Sequence, residues 1–102
     1  MGQRLDFSAE LRSVLGSDNV YFNPPESVKL KYPCIIYELD SMIHLNANDR
    51  KYHHYKAYSV MVIDTDPDST IYLDLLDHFQ TSSFKNAYPA ENLSHFVLLI
   101  YY

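Results

Sequence analysis

Glycine is scarce in this sequence: there are only two, Gly2 and Gly16, and they are far apart. This spacing excludes a glycine-rich loop that wraps a phosphate group. It also leaves little room for a flexible linker, and the sequence contains no low-complexity run or internal repeat. Because a chain of 102 residues fits one domain, we expect a single domain over residues 1–102.

Cysteine is scarcer still. Cys34 stands alone, so no disulfide can form within the chain. It lies in a strand-like run between Pro33 and Ile35, where a small buried side chain is the ordinary role. No nearby base in the sequence favours a nucleophile instead, so we expect Cys34 to be structural.

Basic residues are outnumbered: eight Lys and Arg stand against thirteen Asp and Glu, for a net charge of −5. A strongly basic surface that grips duplex nucleic acid is therefore not expected. A mildly acidic wall repels phosphate, which suits a conduit through which nucleic acid passes without being held.

Long apolar runs are absent as well. No segment approaches the roughly 18 consecutive apolar residues that a membrane helix needs. The first residues, MGQRLDFSAELRS, contain no apolar signal segment. We therefore expect no membrane association and a cytoplasmic, reducing compartment.

What is present is a clear alternation of helix and strand patterns. Apolar steps of three and four predict a helix from Arg4 to Leu15, ended by Gly16, and a second from about Ser69 to Phe79. The order α-β-β-β-α-β-β predicts an α+β domain with a mainly antiparallel sheet and both helices on one face. Strands are predicted at Val20–Phe22, Pro33–Asp40, Tyr52–Asp64, Ser83–Tyr88 and Ser94–Tyr102, with a turn at 89–92.

Some of the predicted strands are apolar on both faces, most clearly Val60–Ile63 and the last strand. A sheet with one wet face should alternate cleanly. Two helices are too few to cover both faces, and each large apolar side chain gains about 1.5–3 kcal/mol when buried. Several of them left in water would form a large exposed patch for a monomer. We therefore expect another copy of the chain to cover part of the sheet.

The segment Lys31–Ser69 predicts a long β-hairpin whose tip, His44–Lys51, projects from the body. Tyrosine is enriched at interfaces, and the chain has ten; an ordinary tyrosine-rich core is the alternative. Arg50 and Lys51 of a docking tip would pair with acidic groups of a neighbour, whereas a solvated, mobile tip would not. We expect contacts between subunits or with a tube at Tyr37, Asn48, Asp49, Arg50, Lys51, Tyr52, Tyr55 and Tyr58.

Candidate catalytic and metal sites are weak. Asp64, Asp66 and Asp68 alternate like a calcium loop, but a proline interrupts them and Leu75 stands where the loop needs Glu. A turn from strand into helix, capped by Asp66 or Ser69, fits better. His53 and His54 are adjacent in a predicted strand, so they point to opposite faces and cannot bind one ion together. His44, His78 and His95 lie far apart, with no cysteine or carboxylate at ligand spacing. We expect no catalytic residue, no cofactor and no metal.

Three motifs follow one another along the chain: KYPCIIYEL at 31–39, the ND-led run at 48–52, and DTDPDS at 64–69. Together they resemble small tail-terminator or tail-completion proteins of long-tailed bacteriophages, which often read Y-P-x-I-x-Y-E-L, then N-D-x-x-Y, a long tyrosine-rich strand and D-x-D-P-D-S. The likeness covers roughly Val20 to Tyr102. The matching positions are Tyr32, Pro33, Ile35, Tyr37, Glu38, Leu39, Asn48, Asp49, Tyr52, Tyr58, Asp64, Asp66, Pro67, Asp68 and Ser69.

This resemblance implies a structural virion protein rather than an enzyme, with two helices packed against a β-sheet. It implies a homo-oligomeric ring, a hexamer in the virion, that caps the last layer of tail-tube protein and docks to the head-completion or neck proteins. DNA passes through the ring without specific binding. We expect the protein in the tail and neck of the virion, and in the host cytoplasm during assembly. The alternatives are another neck component, such as a head-completion or adaptor protein, and a small cytosolic domain with a tyrosine-lined ligand pocket.

Overall fold

The computed structural model of the chain describes residues 3–25, 27–40 and 57–102. Within these residues the predicted order of elements, α-β-β-β-α-β-β, is confirmed. The helices are α1 (Gln3–Leu15) and α2 (Ile71–His78), and the strands are β1 (Val20–Phe22), β2 (Cys34–Leu39), β3 (Ala57–Asp64), β4 (Ser82–Ala90) and β5 (Leu93–Tyr101).

The five strands form one sheet in the order β1-β2-β3-β5-β4. The short β1 runs parallel to β2, and every other neighbouring pair is antiparallel. Val60 in the central strand β3 pairs with Tyr37 on one side and with Leu98 on the other. The predicted α+β fold with a mainly antiparallel sheet is therefore confirmed.

Both helices pack on the same face of the sheet, as predicted. Successive side chains of a strand point to opposite faces, so Val60 and its two partners share the face that the helices cover. Phe7 and Leu11 of α1 are fully buried there. The buried core consists of Phe7, Leu11, Val20, Ile35, Tyr37, Tyr58, Val60, Val62, Leu75, Phe79, Phe96, Leu98 and Ile100.

Helix α1 ends at Gly16, as its position in the sequence predicts. Gly16 has a φ of 84°, and its N–H donates to the carbonyl of Arg12 at 2.8 Å. A left-handed residue just past a helix is most easily glycine, because glycine has no Cβ to collide with the backbone.

The aspartate-rich segment before α2 forms a turn, but the helix begins later than predicted. A carboxylate oxygen of Asp64 accepts the N–H of Asp66 at 3.1 Å, and one of Asp66 accepts the N–H of Asp68 at 2.9 Å. These local bonds give the backbone N–H groups of Asp66 and Asp68 hydrogen-bond acceptors where the chain leaves β3. The N-cap position is occupied by Thr70, without a side-chain bond. Neither predicted residue, Asp66 or Ser69, is the N-cap, although the Ser69 hydroxyl accepts the N–H of Ile71, the first residue of α2, at 3.5 Å.

Strand β4 is longer than predicted. The sequence suggested a strand that stops before Pro89, yet β4 continues to Ala90 and the turn contains only Glu91 and Asn92. Proline is tolerated because β4 is an edge strand, paired on one side only. The φ angles of Glu91 and Asn92, 55° and 65°, are those of a tight two-residue hairpin turn.

The base of the predicted long hairpin is present: β2 and β3 pair from Cys34–Ile63 to Leu39–Tyr58. The predicted tip, and with it the projection of the hairpin, lies outside the described residues. Cys34 is buried, as expected. Burial, followed by the charge of Asp64, raises the pKa of its thiol to about 11.

Candidate interaction surfaces

The sheet face that points away from α1 and α2, which we call the back face, carries apolar side chains from three central strands. Ile36 pairs with Met61, and Met61 pairs with Val97, so these three residues form a row across the sheet. Each of the three is half-buried. We call them the back-face row.

Other apolar residues of the back face are already covered within the chain. Cys34, Ala57, Ile63 and Leu99 are each buried. Over the described residues, the apolar surface of the back face is therefore smaller than the sequence predicts, and the back-face row is part of what remains.

One end of the back-face row is flanked by two stacked rings. Tyr88 of β4 and His95 of β5 are partners in register, and their rings lie parallel with centroids 4.8 Å apart. The hydroxyl of Tyr88 donates to the sulfur of Met61 at 3.9 Å, and Tyr88 remains 39% exposed. The Nδ1 atom of His95 is buried without a hydrogen-bond partner among the described residues. The pair extends the row with an aromatic surface at its β4 end.

A pocket lies where α1, α2 and the end of β5 meet, and we call it the helix-end pocket. Its volume is about 490 Å³. Its wall combines one carboxylate, polar groups after α2, and aromatic rings. The lining residues are Asp6, His78, Phe79, Gln80, Thr81, Tyr101 and Tyr102.

Glu10 joins three elements beside this pocket. One carboxylate oxygen lies 2.8 Å from Nε2 of His78, and the other accepts the hydroxyl proton of Tyr102. The hydrogen bond from Tyr102 lowers the pKa of Glu10, burial opposes this, and His78 lowers it further. The bond to Glu10, then burial, then the charges of Glu10 and Asp6 raise the pKa of Tyr102 to about 12. The carboxylates of Glu10 and Asp6 therefore contribute a negative electrostatic potential at Tyr102.

Two of the predicted contact residues have a different role. Tyr37 and Tyr58 are 0% and 2% exposed, and their rings pack against Phe7 at 5.4 and 4.6 Å. Both lie on the helix-covered face, so predicting them as contacts to another molecule was wrong. The other predicted contacts lie outside the described residues: Asn48, Asp49, Arg50, Lys51, Tyr52 and Tyr55.

The back-face row was not singled out from the sequence, although a signal for it existed. Glu38 and Ser59 are partners in register on the back face. Two polar residues at matching positions mark the wetter face of a hairpin, which places the alternate positions, Tyr37 and Tyr58, in the core. The helix-end pocket had no such signal, because its residues come from three distant segments.

No family model, curated protein or solved structure matches this chain. No helix within the described residues is long and apolar enough to cross a membrane. Over the same part of the chain, no three His, Cys, Asp or Glu side chains come together in a way that could hold a metal ion.

Proposed function

We propose that this chain is a ring-forming tail terminator of a long-tailed bacteriophage, with a structural rather than an enzymatic role. The ring caps the last layer of tail-tube protein, joins the tail to the neck of the virion, and lets DNA pass through. The observation that carries the proposal is the back-face row, in which Ile36, Met61 and Val97 lie side by side and half-buried. The motif resemblance and the net charge of −5 support it.

The row favours contact with a second copy. Complete burial of an apolar side chain is worth about 1.5–3 kcal/mol, and three adjacent residues recover part of this when a neighbour covers them. The neighbour can offer apolar residues in return, because Leu73 of α2 and Phe84 of β4 are 44% and 43% exposed.

Those two residues belong to the opposite side of the subunit. The partner of Phe84 in β5 is the core residue Leu98, which places Phe84 on the helix side of the sheet. A contact between the back face of one subunit and the helix side of the next is head-to-tail. Such a contact closes into a ring when each step is a fixed rotation.

Tube capping is the direct test. The chain is mixed with polymerising tail-tube protein from the same genome, and tube lengths are measured by electron microscopy. We expect capped tubes of limited length, and we expect Val97→Lys to lose capping because it places a charge in the row. Thr65→Lys, which adds the same charge at an exposed site in the turn after β3, should still cap.

Unlimited tube growth in the presence of the folded wild-type chain would contradict the proposal. A chain that copurifies with filled heads rather than with isolated tails would instead support another neck component, such as a head-completion or adaptor protein.

A further inference from the structure

The helix-end pocket pairs the Asp6 carboxylate with the ring of Tyr102. Asp6 is exposed at the pocket wall, and Glu10 follows it one helical turn later on the same side of α1. Half-buried Tyr102 supplies ring surface, since Phe79 is only 6% exposed and Tyr101, the register partner of Ala57, lies on the back face. None of the described residues that line the pocket is a lysine or an arginine, and His78 is already paired with Glu10.

The electrostatics of the pocket favour a cation. Glu10 keeps its charge at neutral pH, because its hydrogen bonds lower its pKa. The pKa of Tyr102 rises to about 12, partly because the charges of Glu10 and Asp6 oppose a phenolate. A negative potential that opposes a second anion stabilises a positively charged group at the same place.

We propose that the helix-end pocket binds the guanidinium group of an arginine side chain that another protein molecule presents. The Asp6 carboxylate can accept two parallel N–H bonds from the planar group. The half-buried ring of Tyr102 offers a face on which a guanidinium stacks, and the side-chain oxygens of Gln80 and Thr81 can accept its remaining N–H groups.

The chain uses the same chemistry elsewhere in its own fold. The guanidinium of Arg4 lies 4.5 Å from the centroid of the Phe22 ring. The inference deepens the proposed function and rests on it only for the partner's identity, since an arginine on a neighbour in the tail or neck would dock here.

Nuclear magnetic resonance on the isolated chain tests the pocket. N-acetyl-arginine methylamide is titrated into the ¹⁵N-labelled protein, and the uncharged isostere N-acetyl-citrulline methylamide serves as the matched probe. We expect saturable shifts at the amides of Gln80, Thr81 and Tyr101. Because charge-assisted hydrogen bonds are the stronger ones, the arginine probe should bind about tenfold more tightly than the citrulline probe.

Two variants locate the response. Asp6→Asn should weaken arginine binding about fivefold, whereas Asp77→Asn, which removes an exposed carboxylate that does not line the pocket, should leave it unchanged. Unchanged spectra away from the substituted helix confirm that each variant is folded. Equal affinity for the two probes, or arginine binding that Asp6→Asn does not weaken, would overturn the inference. Neither result depends on ring formation, so this test and tube capping can fail separately.

Discussion

Ser8 and Tyr37 share a hydrogen bond between their hydroxyl groups inside the core, and both side chains are buried. The bond fixes α1 on β2 at a place where no water is needed to satisfy either group. The sequence shows ten tyrosines but not which of their hydroxyls find a partner inside the chain. The tyrosine count alone therefore leaves core and interface equally open, whereas strand register decides that Tyr37 belongs to the core.

Removing either partner of this bond should leave the other hydroxyl buried and unpaired. We therefore expect Tyr37→Phe and Ser8→Ala each to lower the free energy of unfolding by about 1 kcal/mol. The double variant should lose less than the sum of the two single losses. Urea denaturation of the four proteins measures this, and strictly additive losses would show that the two hydroxyls do not interact.

At the scale of elements, helix and strand order follows from the sequence and several boundaries do not. Apolar spacing places the start of α1 within one residue of the observed start, and Gly16 correctly marks its end. The sequence does not single out the N-cap residue of α2, because Asp66, Ser69 and Thr70 are all acceptable capping residues. Strand β4 can continue through Pro89 because it lies at the edge of the sheet. A single sequence does not reveal which strand lies at an edge, so the end of β4 was predicted too early.

Glu10 ties α1 to α2 and to the end of β5, and its contribution should depend on pH. The folded-state pKa of Glu10 lies below its usual value of 4.5, so the stabilisation is present above about pH 4.5 and is lost as the pH falls through the folded value. Because the side chain is 40% exposed, we expect Glu10→Gln to cost less than about 1 kcal/mol at neutral pH.

The difference between wild type and Glu10→Gln should shrink as the pH falls below 4.5, and thermal unfolding across this range measures it. Tyr102→Phe is the companion to Glu10→Gln, because it removes the hydroxyl that donates to Glu10 and keeps the aromatic ring. A difference that stays constant down to the acid limit would mean that the Glu10 carboxylate does not supply the stabilisation.

At the scale of the whole molecule, the sequence predicts an excess of apolar β surface and overstates it. Strand patterns treat every apolar residue of a face as equally exposed. In the fold, Ile63 and Leu99 of the back face are buried within one chain, whereas Ile36, Met61 and Val97 of the same face stay half-buried. Tertiary packing decides which apolar residues of a strand stay exposed. The alternation of apolar and polar residues along the sequence does not specify that packing.

The contact between copies is tested most directly at the end of a tail tube. A cryo-electron microscopy reconstruction of tubes capped by this chain would show where each subunit places its back face. We predict a ring in which the next subunit covers Ile36, Met61 and Val97 of each copy. A ring whose subunits leave that row in solvent, or a tube end without this chain, would contradict the proposal.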